Sequence, residues 1–184
     1  MCRFVFILII LLIGIGCKEN LTPLENTKTR GLQLEGDYNS KVFQYRDTEP
    51  VISVIIDTSK NRIEGLYIAD VSFFELLKNE SFDYMFIIEM DYKFETNTIE
   101  KLGQKVSFTR VNQPLFLQFN RESSRIELQE FNLSDSTLIL DAQLDVIGYA
   151  DAVSVYGRPE PDLSDCSGEL RGTVEAKFIP YFLP

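Results

Sequence analysis

Alternation of apolar and polar residues is the feature that most limits the folds open to this chain. Over residues 84–94 every even-numbered residue is apolar or aromatic, and charged residues fill several of the odd positions. Successive side chains of a strand point to opposite faces, so this period of two predicts a strand with one buried face. We expect Ile88 to lie on the buried face and Asp91 on the opposite one.

Similar β-rich segments recur along most of the chain. Turn-forming residues at 57–61 and at 120–124 predict two short hairpins, and residues 132–135 predict a turn before a strand that begins near Thr137. Strands are predicted over residues 51–56, 62–68, 84–94, 115–119, 125–131, 138–146 and 170–178. The chain therefore resembles an antiparallel meander.

One short helix is predicted to interrupt the strands. Ser72 followed three residues later by Glu75 is a capping-box pattern, in which each side chain accepts a hydrogen bond from a free backbone N–H of the first turn. The helix is predicted over residues 71–79. Its apolar face would contain Phe73, Phe74, Leu76 and Leu77.

About nine or ten short strands in a single domain, residues 32–184, indicate an all-β fold. We expect an antiparallel β-sandwich with one short helix, and a lipocalin-like β-barrel is the alternative. The segment Gly36-Asp37-Tyr38 is similar to the Gly-x-Trp start of lipocalin-like barrels, with Tyr38 in place of the tryptophan. That similarity covers three residues, so it supports no family assignment.

The first residues carry an export signal. Arg3 precedes an apolar run over residues 4–13, and Gly14-Ile15-Gly16-Cys17 then leads into polar sequence. The run is shorter than the roughly 20 apolar residues that span a bilayer, but its length suits a secretory signal. The segment resembles a bacterial lipoprotein signal peptide, with Gly14 where that motif usually has leucine.

The resemblance implies removal of residues 1–16 and lipidation of Cys17, with simple cleavage and release or an uncleaved anchor as alternatives. Residues 17–31 are polar and read as a flexible tether. Lys18, where aspartate would retain a proteobacterial lipoprotein in the inner membrane, implies a lipid anchor in the outer membrane of the cell envelope. The domain would then face the periplasm or the cell surface.

Composition excludes several functions. The net charge of −10 and the lack of clustered cations argue against binding to nucleic acid. The chain has no histidine, which removes the usual zinc sites and the histidine-dependent serine triad. Cys166 would be the only thiol outside the leader and the lipid site. A nucleophilic thiol needs a base or cation beside it, so we expect Cys166 to be incidental.

Three clusters could form sites, and each also has a structural explanation. Asp141 and Asp145 share a strand face but stand roughly 13 Å apart, too far for a glycosidase pair, so we expect exposed residues beside cross-strand Lys or Arg. Glu160, Asp162 and Asp165 form a weak calcium candidate in a solvated loop. The third cluster is an aromatic set that we assign to the core: Phe82, Tyr84, Phe86, Tyr92 and Phe94.

These observations predict a membrane-anchored, exported lipoprotein that acts as a non-catalytic binding or structural module without a cofactor. Its partner would be a protein or a glycan, and residues 157–167 form the loop in which contacts are first expected. The alternative is a lipocalin-like carrier of a small apolar ligand.

Overall fold

The fold is built almost entirely from strands that surround one apolar core. A computed structural model describes residues 30–78, 80–96, 98–152 and 161–184. The predicted leader, Cys17 and nearly all of the tether lie outside them. The elements are β1 (Gly31–Tyr38), β2 (Lys41–Asp47), β3 (Val51–Asp57), β4 (Arg62–Ala69), α1 (Phe73–Leu77), β5 (Tyr84–Lys93), β6 (Thr98–Arg110), β7 (Leu115–Phe119), β8 (Arg125–Asn132), β9 (Thr137–Ala150) and β10 (Ser164–Leu183).

The strands follow the order β2-β1-β10-β3-β4-β5-β6-β7-β9-β8, and an additional β10–β9 pairing closes seven of them into a ring. All pairs are antiparallel except β10 with β3, which is parallel. The predicted all-β class with one short helix is confirmed, and the ring is consistent with a sandwich or a barrel. The predicted meander holds from β3 to β7 and from β8 to β10, but it is interrupted because β7 lies beside β9 and β10 returns beside β3 and β1.

Two long strands let the sheet fold into two layers. β9 pairs with β8 through residues 137–143 and with β7 through residues 146–150. β10 similarly pairs with β1 and then, farther along, with β3. The layers face each other through aromatic contacts, such as Phe43 of β2 to Phe108 of β6, whose ring centroids are 5.4 Å apart. Phe131 of β8 likewise lies 5.9 Å from Tyr92 of β5.

Glycines permit the close pairing of β1 with β10. Gly36 has φ +150°, a value that L side chains rarely adopt, and a Cβ there would collide with the carbonyl oxygen of Glu169. A Cβ on Gly168, in the facing strand, would collide with the carbonyl oxygen of Asp37. Both strands therefore need glycine where their backbones come closest.

Pro180 lies on the open side of β10. The Phe178 N–H donates to the Ser136 carbonyl (N···O 2.8 Å), away from β3, whereas the Leu183 carbonyl accepts from the Thr58 N–H (3.2 Å) on the β3 side. Backbone groups of alternate residues point to opposite sides of a strand, so the Pro180 nitrogen faces away from β3 like that of Phe178. Proline therefore breaks no bond to β3 and removes one donor from the open side.

The predicted helix is confirmed, although it is shorter than residues 71–79. Ser72 is the N-cap: its N–H donates to Glu75 Oε2 (2.8 Å), and its Oγ accepts from the Glu75 N–H (3.4 Å). The Phe73 N–H donates to the buried Ser53 Oγ at 2.9 Å, which fixes the helix against β3. No helix of the described residues has the length and apolarity that crossing a membrane requires.

The hairpin predicted around residues 57–61 is confirmed, since β3 pairs antiparallel with β4. Asp57 organises its turn by accepting from Ser59 Oγ (2.6 Å) and the Lys60 N–H (3.1 Å). The ion pair with Lys60, at 2.7 Å, also belongs to this turn. These hydrogen bonds, with that to Lys60 foremost, hold the pKa of the Asp57 carboxyl well below its ordinary value.

The hairpin predicted around residues 120–124 is wrong, because β7 and β8 each pair with β9 instead of with each other. The turn residues do form a turn, but it passes along the middle of β9. There the Asn120 N–H donates to the Asp145 carbonyl (2.8 Å), and the Asp145 N–H donates to Ser124 Oγ (3.0 Å).

The alternation of β5 gives the first testable prediction. Ile88 is fully buried, as predicted, while the Asp91 side chain is 37% exposed and pairs with Arg62 at 2.7 Å. Ile88→Asp would bury an unpaired carboxylate, so we expect a loss of several kcal/mol from a total of about 5–15 kcal/mol. Asp91→Asn removes an exposed ion pair and should cost about 0–1 kcal/mol. Urea denaturation of both variants measures this, and equal losses would contradict the assigned faces.

Candidate functional site

A cleft of about 520 Å³ opens where the edge strand β2 faces the end of β6 and the start of β7. We call it the end cleft. It lies beside the β1–β2 turn, about 23 Å along β1 from Gly31 at roughly 3.3 Å per residue. Its volume falls within the range of about 300–1,000 Å³ that is typical of small-molecule sites.

Buried aromatic rings form the inner wall of the end cleft. Tyr38 and Phe43 line it, and their ring centroids are 6.2 Å apart. Phe43 packs edge-on against Phe108 of the opposite layer at 5.4 Å, and Tyr38 packs against Tyr149 at 5.8 Å. The wall is therefore part of the main core and is rigid.

Two cations lie on the faces of aromatic rings at this end of the molecule. The Arg110 guanidinium, which lines the end cleft, lies 5.4 Å from the ring centroid of Tyr45. Lys41 Nζ lies 5.8 Å from the ring of Tyr38 and 5.5 Å from that of Tyr149. Within the described part of the chain, neither cation forms an ion pair with a carboxylate. Both positive charges are thus available to an anion.

Hydrogen-bonding and apolar groups complete the rim. Gln44 and Gln113 bring amide groups, and Asp151 brings a carboxylate. Val42 and Pro114 are exposed apolar residues of the same rim. The end cleft therefore combines donors, acceptors and apolar contacts around one guanidinium.

Two tyrosines behind the cleft wall stay protonated at neutral pH. Burial, and then the charge of Asp47, raises the pKa of Tyr45 to about 12, while Arg110 opposes this shift. Burial also raises the pKa of Tyr84, whose hydroxyl donates to Asp47 Oδ2 at 2.7 Å. Both hydroxyls remain neutral, so these two tyrosines add no formal charge behind the cleft wall.

The clear pKa shifts among the described residues share one direction relative to neutral pH. A general acid or base works best with a pKa near the working pH. Each clear shift among the described residues moves the pKa away from neutrality: upward for tyrosine, cysteine and lysine, and downward for aspartate and glutamate. The groups are Tyr45, Asp57, Lys60, Glu75, Tyr84, Tyr92, Lys93 and Cys166.

A second cleft, of about 390 Å³, lies on the outer face of β4, β5 and β6. Arg62 pairs there with Asp91 (2.7 Å) and Glu64 (3.3 Å). Lys101, Arg121 and Glu89 also line it, so its three cations match its three carboxylates. Because its central cation is already paired, this cleft is a weaker candidate for a charged ligand.

The predicted calcium candidate is only partly described. Glu160 lies outside the described residues, Asp162 is exposed just before β10, and Asp165 belongs to β10 opposite Gly148. Of the contact loop predicted over 157–167, residues 164–167 are strand instead of loop, and residues 157–160 lie outside the described residues. Across the described ranges no three Asp, Glu, His or Cys residues come together as a metal site.

Asp141 and Asp145 lie on the outer face of β9, as predicted. The residues directly opposite them are Thr173 and Glu169 on β10 and, for Asp141, Glu127 on β8, so the expected cross-strand cations lie beside them, one row away. The reason is register: Arg171 faces Gln143, one row between the two aspartates. The two carboxylates remain surface groups.

The predicted aromatic set belongs to the core, but to two parts of it. Tyr84, Phe86 and Tyr92 are buried in the main cluster, and Phe94 packs against its edge. Phe82 belongs instead to a second cluster that includes Leu76 of α1. These rings fill space, and none of them lines the end cleft.

Sequence reasoning missed the end cleft altogether. Tyr38, Arg110 and Asp151 are far apart in the chain, and the β1–β2 hairpin, the β6–β7 connection and the end of β9 bring them together. Asn39 and Ser40, with φ values of 48° and 61°, form the tight turn that aims β2 at this end. The one local sequence signal for that hairpin was the turn-forming pair Asn39-Ser40, which lies between two segments of alternating apolar and polar residues.

Comparison with known proteins yields no relatives: no family model matches the chain, and neither does any curated protein or solved structure at a significant level.

Cys166 gives a prediction about reactivity. Burial, and then the charge of Asp165, raises the pKa of its thiol, so less thiolate is present at a given pH. We expect iodoacetamide at pH 8 to modify Cys166 at least about threefold more slowly in the folded protein than in urea, because the thiolate is the reactive form. Mass spectrometry of the peptide that contains Cys166 measures both rates, and faster reaction of the folded protein would point to an activated thiol.

Proposed function

We propose that this protein is an exported, lipid-anchored, non-catalytic binding module that takes a short acidic saccharide in the end cleft. The observation that carries the proposal is Arg110, a cation held on an aromatic ring inside a cleft and without a carboxylate partner among the described residues. An anion that enters the cleft would gain a charge-assisted hydrogen bond without breaking an existing ion pair.

The anchor part of the proposal rests on Cys17 and its leader. Export with a lipid on Cys17 would attach the chain upstream of Arg30, at the start of β1. The end cleft lies at the other end of β1, about 23 Å away. That arrangement would hold the cleft away from the bilayer, where a ligand from outside can reach it.

The ligand class follows from the cleft's shape and chemistry. A concave site of this volume suits a small molecule better than a protein surface, which needs a contact area of about 800 Å² on each partner. The two glutamine amides and Asp151 can bind hydroxyl groups, and Arg110 can bind a carboxylate or sulfate. With a net charge of −10, the protein as a whole repels polyanions, so the ligand is short and carries one or two charges.

A filled interior weighs against the alternative of a lipocalin-like carrier. An apolar carrier needs an empty apolar space inside the ring. Large side chains from both layers fill that space here, including Phe86, Phe108 and Leu117, each fully buried. The end cleft is instead polar at its rim and lies at one end of the molecule.

The ligand part is tested by isothermal titration with trigalacturonic acid and its neutral counterpart, galactotriose. We expect the acid to bind and Arg110→Gln to weaken that binding about 10- to 100-fold, the loss of one hydrogen bond to a charged group. Arg46→Gln is the matched control, because Arg46 is an exposed cation of β2 outside the cleft lining. Equal affinity of the Arg110→Gln variant, or equal affinity for the neutral sugar, contradicts the proposal; capture of a protein that Arg110→Gln abolishes would point to a protein partner.

The anchor part is tested in a producing cell with labelled palmitate. We expect label on the wild-type protein and none on Cys17→Ser, because the thiol is the proposed point of attachment. Fractionation should recover the wild-type protein with the outer membrane. Unchanged label on Cys17→Ser, or recovery in the inner membrane alone, would overturn this part.

A further inference from the structure

Helix α1 and the last part of β10 expose large apolar side chains on one side of the molecule. Phe74 and Leu77 stand three residues apart and so share a face of α1. They are 53% and 48% exposed, and Ile179 on the outer face of β10 is 43% exposed. We call these three residues the α1–β10 surface. Single exposed apolar residues are common on soluble domains, whereas apolar residues grouped on one side are typical of a surface that contacts a partner or a membrane.

Direct contacts bring the helix and the strand together. The ring of Phe73 lies 5.7 Å from that of Tyr181 on β10 and 4.6 Å from that of Tyr67 on β4. The Phe73 N–H donates to Ser53, which is the residue opposite Ile179 in the β3–β10 register. Helix α1 therefore lies across the outer face beside Ile179.

The chain from the proposed lipid site arrives on this side. β1 begins at Gly31, opposite Glu175, and Ile179 lies four residues farther along β10, or about 13 Å. Arg30 follows Cys17 by 13 residues, and the predicted tether of that length would span about 20 Å on average as a flexible chain. The two distances are comparable, so the lipid and the α1–β10 surface can reach the same bilayer.

We propose that the α1–β10 surface rests on the membrane to which Cys17 is anchored and inserts Phe74 and Leu77 among the headgroups. This inference rests on the proposed lipid anchor. A lone five-residue helix binds a bilayer weakly, but tethering makes the contact intramolecular and raises its effective concentration by orders of magnitude. Insertion of aromatic and aliphatic side chains to this depth lowers the free energy of the bound state in proportion to the apolar area that leaves water.

The charges around the surface select the kind of lipid. Lys78 lies over the ring of Phe74, with its Nζ 4.3 Å from the centroid, where it can reach a phosphate while Phe74 is inserted. Asp70 and Glu80 are exposed nearby in the sequence and would repel anionic headgroups. The surface therefore suits zwitterionic lipid.

The absence of tryptophan in this chain allows a direct test. Phe74→Trp places the sole indole on the α1–β10 surface, and Val42→Trp places it on the end cleft, where Val42 is 82% exposed. In acylated protein on vesicles of brominated phosphatidylcholine, we expect strong quenching and a blue shift for Phe74→Trp and neither for Val42→Trp. Adding Leu77→Ser to Phe74→Trp should reduce the quenching, and unchanged melting temperatures check that the variants fold.

Separate outcomes identify which idea fails. Acylated Phe74→Trp that sediments with the vesicles but is not quenched overturns the surface proposal and leaves the anchor standing. If no acylation occurs, the same indole is measured in the Cys17→Ser background, where quenching should require about 10²-fold more lipid; no quenching at millimolar lipid also overturns the proposal. A blue shift that depends on protein concentration without vesicles would assign the surface to a second copy of this chain instead.

Discussion

Strand β10 is the constraint on which the rest of this structure depends. Its first part lies between β1 and β9, and its last part pairs with β3, so it belongs to both layers. Without it the β1–β2 hairpin has no neighbour that holds it over β5 and β6. The glycines at 36 and 168 let β1 approach β10 closely enough for that pairing. The end cleft exists because the hairpin is held there.

Local structure could be predicted where the sequence pattern is regular. The alternation of β5 predicted its buried face, and the capping box predicted the start of α1. In β6 the apolar residues Ile99, Leu102 and Val106 are three and four apart, because the strand bulges opposite Glu89 and again opposite Asp91 and Tyr92. Because that spacing is not a period of two, the sequence did not indicate this strand. The pairing of β7 and β8 with β9 also could not be predicted. Turn residues show where the chain reverses, but they do not show which strand becomes the neighbour.

The candidate site could not be predicted because its chemistry is contributed by distant segments. Arg110 is the last residue of a strand that the sequence did not indicate, and the aromatic ring on which it lies, Tyr45, comes from the opposite layer. The exposed residues of α1 were readable as an apolar face, but the sequence did not separate the buried Leu76 from the exposed Phe74 and Leu77. The apolar residues of a short helix point in more than one direction, and only packing against the sheet decides which of them are buried.

The proposed lipid anchor would give Pro180 a second consequence. Attachment to a bilayer would confine copies of the protein to a plane and align them, so equivalent strand edges would meet more often than in free solution. Unpaired backbone donors beside Ile179 and Phe182 would then favour strand pairing between neighbouring copies. Pro180 removes one of these donors on the open side of β10 and leaves the pairing with β3 intact. On the proposed anchor, the proline would let neighbouring copies share a bilayer without sheets growing from one copy to the next.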